Sequence, residues 1–161
     1  MGLPWACEEG RVEGERGHLP AAETVKLFLD SGAFIARARR EDPYHLRAVD
    51  LFTAISRGDV PYWRLYTSNY VIDETVTFLL YEAGPRVAVE TLGRMRTSPN
   101  LRVLRVTDEV ESAADTVFSR HASSRVSYTD CTTKVLMERE SIDAAFSFDR
   151  DIEVLGLTRV P

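Results

Sequence analysis

Val25-Lys26-Leu27-Phe28-Leu29-Asp30-Ser31-Gly32-Ala33-Phe34-Ile35 is the stretch that decides the fold. A short apolar run stops at an aspartate, a hydroxyl and a glycine, and helical spacing then begins. Such a pattern describes a buried parallel strand that delivers a carboxylate to the carboxyl edge of a sheet, where open α/β folds place their sites. Many strands end in Asp, so the meaning of Asp30 depends on whether other carboxylates reach the same edge.

Outward from that stretch, residues 33–40 read as a short helix. Asp42-Pro43 then opens a second, with Asp42 as cap, Pro43 in the first turn and Gly58 as the stop. Residues 63–67 form a plausible second strand. Ser68 or Asn69 caps a third helix reaching Glu82, carried by Val71, Ile72, Thr75, Val76, Leu79 and Leu80. Gly84-Pro85 breaks it, and a fourth helix follows to about Arg96. Residues 101–106 alternate like a half-buried strand near the edge of the sheet. Thr107 caps a fifth helix, and Ser127 or Thr129 opens a sixth that runs to about Glu140. Residues 142–148 are strand-like, Asp149 ends them, and residues 153–157 read as a short last strand. Strands alternating with helices predict an α/β fold: a mainly parallel central sheet with helices on both faces.

At 161 residues the chain is long enough for one domain with a sizeable core, and its 44% hydrophobic content fits a soluble globular protein. Residues 1–23 carry no apolar periodicity and read as a tail or extension, leaving 24–161 as the folded domain. A net charge of −5 argues against a generally basic nucleic-acid surface, although an acidic site can still meet phosphate through bound cations. Cys7 and Cys131 lie too far apart for a CxxC pair, so neither a disulfide framework nor a zinc site is indicated. With no membrane-length apolar run and no basic-then-apolar leader, the expected location is cytoplasmic.

Four acids stand out by position. Asp30 ends the first strand, Glu74 sits early in the third helix, Asp130 lies in the first turn of the sixth, and Asp149 ends the penultimate strand. Strand ends and helix starts share one edge of a doubly wound sheet, so all four converge there. Singly, each has an ordinary reading: Asp30 as a helix cap, Glu74 and Asp130 as macrodipole partners, Asp149 as a turn residue. Jointly they concentrate negative charge that a cation must neutralise. Hard oxygen ligands without Cys or His suit Mg²⁺ or Mn²⁺.

The segments FLDSGAFIA, YVIDETVTFLL, SYTDCTTKVLM and AAFSFDRDIEVLGL, in that order and spacing over about residues 25–157, resemble the PIN domain, specifically VapC-type toxins. That resemblance implies a three-layer α/β/α sandwich and a metal-dependent ribonuclease of a toxin–antitoxin pair. The family's four acids fall on Asp30, Glu74, Asp130 and Asp149, and its hydroxyls on Ser31 and Ser127. Asp151 is a weaker rival to Asp149. The implied site holds one or two Mg²⁺ or Mn²⁺ ions for hydrolysis of a phosphodiester, with Ser31, Ser127 and Thr129 orienting the ligands. The implied partners are RNA, a small antitoxin covering the acidic groove, and a second copy of the chain, for which Tyr62, Trp63, Tyr66 and Tyr81 are candidate interface aromatics.

Arg37, Arg39, Arg40 and Lys134 are candidate phosphate contacts, each also readable as part of a solvated helix face. Tyr44, Tyr62 and Trp63 are candidate base-stacking residues, the last two better read as core or dimer packing. His18, His45 and His121 are scattered and suggest no histidine chemistry. A haloacid-dehalogenase-like phosphatase needs an acid two residues after the first Asp, where this chain has Gly32. A receiver domain needs an acidic pair at the first strand, which is absent, as are the Gly-rich phosphate loops and GxSxG. The remaining competitors are a PIN protein that processes RNA and a silent PIN-like module that only binds RNA or protein.

Overall fold

A computed structural model of the chain describes residues 25–160, apart from the side chain of Trp63. The expected tail, Cys7 and any contribution of Trp63 to an interface lie outside the described residues. The elements run β1 (Val25–Leu29), α1 (Ser31–Ala38), α2 (His45–Arg57), β2 (Tyr62–Ser68), α3 (Asn69–Glu82), α4 (Pro85–Thr97), β3 (Leu101–Leu104), α5 (Asp108–Arg120), α6 (Tyr128–Glu140), β4 (Ala144–Phe146), α7 (Asp151–Val154) and β5 (Arg159–Val160).

All strand pairs are parallel, in the order β3-β2-β1-β4-β5. Helices cover the sheet, as the α/β/α reading requires, and β3 lies at one edge as its alternating pattern implied. Winding proceeds outward from β1 to β2 and β3, then resumes on β1's other side with β4 and β5. The direction therefore reverses between β1 and β4, and ligands bind at such a switch point, beyond the carboxyl ends of the strands.

Those two central strands are buried on both faces. Leu27, Phe28, Leu29, Ala144, Ala145 and Phe146 are at most 5% exposed, which explains their unbroken apolar runs. Phe52 of α2 packs its ring against Phe34 and Phe146, with centroids 6.0 and 5.5 Å away, tying the α1–α2 pair to the sheet. Helix α6 has Cys131, Thr132, Thr133, Val135, Leu136 and Met137 all buried, so its first turn is held firmly against the sheet.

Local chemistry sets most boundaries. Ser68 Oγ accepts from Val71 N and caps α3, while Gly58, with φ 75°, ends α2 in the left-handed region. Pro85 occupies the first turn of α4 after Gly84.

Three expectations need correction. Helix α2 begins at His45, not at Asp42-Pro43. Asp42 Oδ1 accepts from Tyr44 N at 2.8 Å, forming an Asx turn that leads into the helix instead of capping it. Residues 153–157 do not form the last strand. Ile152 and Leu155 are buried at helical spacing and Val154 is 53% exposed, so this piece folds as α7 and β5 follows it. Tyr66 is 3% exposed within β2 and belongs to the core; of the other interface candidates, Tyr62 is partly buried against that core and Tyr81 is 80% exposed on α3.

Candidate active site

Asp30 follows β1 directly, at the N-cap position of α1, yet its side chain makes no cap hydrogen bond. It turns instead across the switch point, where Asp30 Oδ2 accepts from Ser147 Oγ at 2.7 Å. Asp30 N donates to Phe146 O at 3.1 Å, so backbone and side chain are both fixed to the end of β4. The ordinary capping explanation for this residue therefore fails.

The other acids come from neighbouring elements. Asp130, in the first turn of α6, forms a capping box with Ser127: Asp130 Oδ2 accepts from Ser127 N and Oγ, at 2.8 and 2.7 Å. This identifies Ser127, and not Thr129, as the residue that starts α6. The hydroxyls of Thr129 and Ser31 lie near enough to Glu74, which α3 brings to the same edge, to favour its charged form. Asp149 lies between β4 and α7. Its N donates to Ser147 Oγ at 3.1 Å, and its Oδ1 accepts from Asp151 N at 2.8 Å. Asp151 thus orients Asp149 through its backbone.

Close placement shows in the electrostatics. The carboxyl of Asp30, 6% exposed, is pushed up to about 7, first by burial and then by the charges of Asp130 and Glu74, with the Ser147 bond opposing. Asp130 is raised by burial, then by Asp149 and Asp151, against its bonds to Ser127. Glu74, although its side chain reaches solvent, is also raised, first by partial desolvation and then by Asp130 and Asp149. None of the ion pairs among the described residues involves these four acids.

An uncompensated all-oxygen donor set with a raised carboxylate at its centre fits a hard divalent cation. Ser147 and Ser127 each hold one carboxylate oxygen and leave the other available. Among the described residues no three His, Cys, Asp or Glu side chains already close into a cage. Mg²⁺ does not require one, since it keeps several waters and takes few carboxylates.

The candidate phosphate contacts fare unequally. Arg37 lies 4.6 Å over the Phe52 ring, and burial followed by Arg94 lowers its guanidinium to about 10, so it belongs to the packing of α1 on α2. Arg39 pairs with Glu41 at 3.3 Å, and Lys134 pairs with Glu138 at 2.5 Å, one helical turn along α6. Arg40 is exposed. Sequence reading missed Arg96, which lines an open cavity of about 510 Å³ with Tyr70, Asp73, Glu74, Leu92 and Thr129. It also missed Ser147, a fully buried hydroxyl at the end of an otherwise apolar strand. That hydroxyl, two residues before Asp149, was the available signal.

Comparison with known proteins bears on the family and the fold. The PIN domain profile matches residues 27–156. The chain is 31% identical over 134 residues to the 23S rRNA-specific endonuclease VapC20 of Mycobacterium tuberculosis, covering 83% of this chain and 97% of that one. It is also 31% identical over 115 residues to a VapC ribonuclease of Archaeoglobus fulgidus, covering 71% of each. The crystal structure of VapC20, described as a sarcin-ricin loop cleaving toxin, superposes with a TM-score of 0.75 at 29% identity over 83% of this chain and 98% of that one. FitAcB of Neisseria gonorrhoeae shares the fold, with a TM-score of 0.60 at 13% identity over 84% of this chain and 96% of that one.

Proposed function

Since the chain belongs to the PIN domain family, we propose that it is a Mg²⁺- or Mn²⁺-dependent endoribonuclease acting as the toxin of a toxin–antitoxin pair. The observation that carries this reading is the convergence of Asp30, Glu74, Asp130 and Asp149 on one sheet edge, three of them with raised pKa values. Identity of 31% to a named RNA endonuclease over most of both chains supports RNA as the substrate class, and VapC20's description supports the toxin role.

In the proposed site, the four carboxylates hold the ion. When bound, the metal supplies charge neutralisation at the scissile phosphate and an activated water. Ser147 and Ser127 each hold one oxygen of Asp30 and Asp130 and would leave the other for the ion, and the hydroxyls of Ser31 and Thr129 favour the charged form of Glu74. Burial of Asp30 limits bulk water at the centre of the edge. Attack by water on the phosphorus with the P–O3′ bond breaking would leave 5′-phosphate and 3′-hydroxyl ends and needs no covalent nucleophile from the chain. Asp149 is preferred to Asp151 as the fourth ligand because its charge raises both Glu74 and Asp130, while the backbone N of Asp151 donates to Asp149 Oδ1.

The groove beside Glu74 offers an antitoxin segment an acidic surface, while the exposed Leu80, Tyr81 and Val89 of α3 and α4 offer a second copy of the chain an apolar one. Among the described residues no helix is long and apolar enough to cross a membrane. The test is incubation of the purified chain with structured RNA, with Mg²⁺ or Mn²⁺ and with EDTA, beside Asp30→Asn. Metal-dependent fragments with 5′-phosphates, absent from the variant, are expected. An intact fold with no cleavage and no Mn²⁺ binding would leave only a binding module.

A further inference from the structure

On the opposite flank of the acidic edge from the Glu74 groove lies an aromatic stack that catalysis by the acids does not use. Phe148 sits between Ser147, the donor to Asp30, and Asp149. Its ring is stacked on Tyr44, with centroids 4.5 Å apart and planes 5° from parallel, and stands edge-on to the buried Phe146. The guanidinium of Arg47 lies 5.9 Å from the Phe148 ring centre, and Arg47 itself is exposed.

Tyr44 is 41% exposed, and the backbone that carries it is hydrogen-bonded on either side. Asp42 Oδ1 fixes its backbone N at 2.8 Å. The next residue, His45, pins the start of α2 to α1 through Nδ1 and Ala36 O, also at 2.8 Å. One face of Tyr44 meets Phe148, and no other ring among the described residues covers the second. A flat aromatic face beside a phosphate-handling edge, with a guanidinium alongside, has the parts of a single-strand nucleic-acid platform.

We propose that Tyr44 and Phe148 form a stacking platform for one unpaired base adjacent to the scissile phosphate of the RNA, with Arg47 contacting a neighbouring phosphate. This inference rests on the nuclease reading above for its substrate. It gives the site a preference for bases that are splayed out of a helix, because a paired base cannot continue the stack.

The probe is a set of short single-stranded RNAs with 2-aminopurine stepped along the sequence. They are bound by the full chain carrying Asp30→Asn in Mg²⁺, with fluorescence and anisotropy read together. One position is expected to be strongly quenched. In that background Tyr44→Leu, which keeps apolar bulk but removes the ring, abolishes the quench and weakens binding by about 5- to 150-fold. Tyr44→Trp and Tyr44→Phe retain both, and Arg47→Ala lowers the salt dependence of binding by about one phosphate contact. Circular dichroism and melting confirm folding of each variant. No quenched position, or Tyr44→Leu binding as tightly as Tyr44, overturns the platform even if the wild-type chain cuts RNA. Tyr44-dependent quenching in a chain that never cuts RNA supports the platform and refutes the nuclease.

Discussion

Replacing Ser147 with Ala removes one hydroxyl that serves two acids. Its Oγ donates to Asp30 Oδ2 at 2.7 Å and accepts from Asp149 N at 3.1 Å, and the residue is fully buried, so water has little access to replace it. A hydrogen bond to a charged group contributes roughly 1.5–3 kcal/mol, which is about one to two pKa units. The bond opposes the rise of Asp30, so its loss moves that carboxyl further above the value of about 7 it already holds. The proposed metal needs the carboxylate deprotonated, and Mn²⁺ affinity near neutrality is expected to fall roughly 5- to 50-fold. The deficit should narrow as pH rises by about two units, because excess hydroxide restores the charge that the hydroxyl no longer stabilises. Calorimetric Mn²⁺ titrations at neutral and alkaline pH, with melting curves of both proteins, measure this. Unchanged affinity near neutrality, or an equal loss at every pH, would refute the account of Ser147 as the group that tunes Asp30.

Further outcomes follow from the same edge. Asp30 is raised from 3.8 to about 7 in the folded chain, so its contribution to stability is fully present below the unfolded value and is lost as pH rises through the folded one. The metal-free protein should therefore lose stability between about pH 4 and pH 7, by at most about 4 kcal/mol from this group. Melting in EDTA across that range tests the sign, and Asp30→Asn should flatten the profile. Ser127→Ala dismantles the capping box of α6 and should cost about 1 kcal/mol in denaturant unfolding, with weaker Mn²⁺ binding because Asp130 loses the Ser127 Oγ donor and keeps only the backbone N of residue 127. Arg96→Ala should weaken RNA binding and reduce its salt slope by about one contact, whereas Lys134→Ala, already paired with Glu138, should change the slope little.

How much of this was legible beforehand depends on the range of the interaction. The strand ending at Asp30 was readable because central parallel strands need apolar residues on both faces, and few other contexts produce LFLDSG. Helix starts were narrowed to Ser68 or Asn69 and to Ser127 or Thr129 because caps act within three residues, and the structure selects the serine each time. The start of α2 was misplaced because Asp42 can serve an Asx turn as well as a cap, and tertiary fit decides between them. Residues 153–157 misled because five apolar-rich residues satisfy either period until Ile152 and Leu155 are seen to share a buried face. The arginines could not be sorted by sequence: whether Arg37 faces RNA or Phe52 depends on a helix packed above it. Ser147 went unnoticed for the same reason, since its partner lies 117 residues away.

That separation also sets an order of assembly. Chains emerge from the ribosome N-terminus first, and contacts between distant residues form late because long loops must close before they are rewarded. Strands β1, β2 and β3 can associate while synthesis continues, but Asp30 has neither the Ser147 hydroxyl nor the Phe146 carbonyl until β4 is made and slots in beside β1. A nascent chain thus carries the first acids without the partners that hold them, and the acidic edge is complete only with the second half of the sheet. With the switch point between the first and fourth strands, the site is among the last parts of the fold to close.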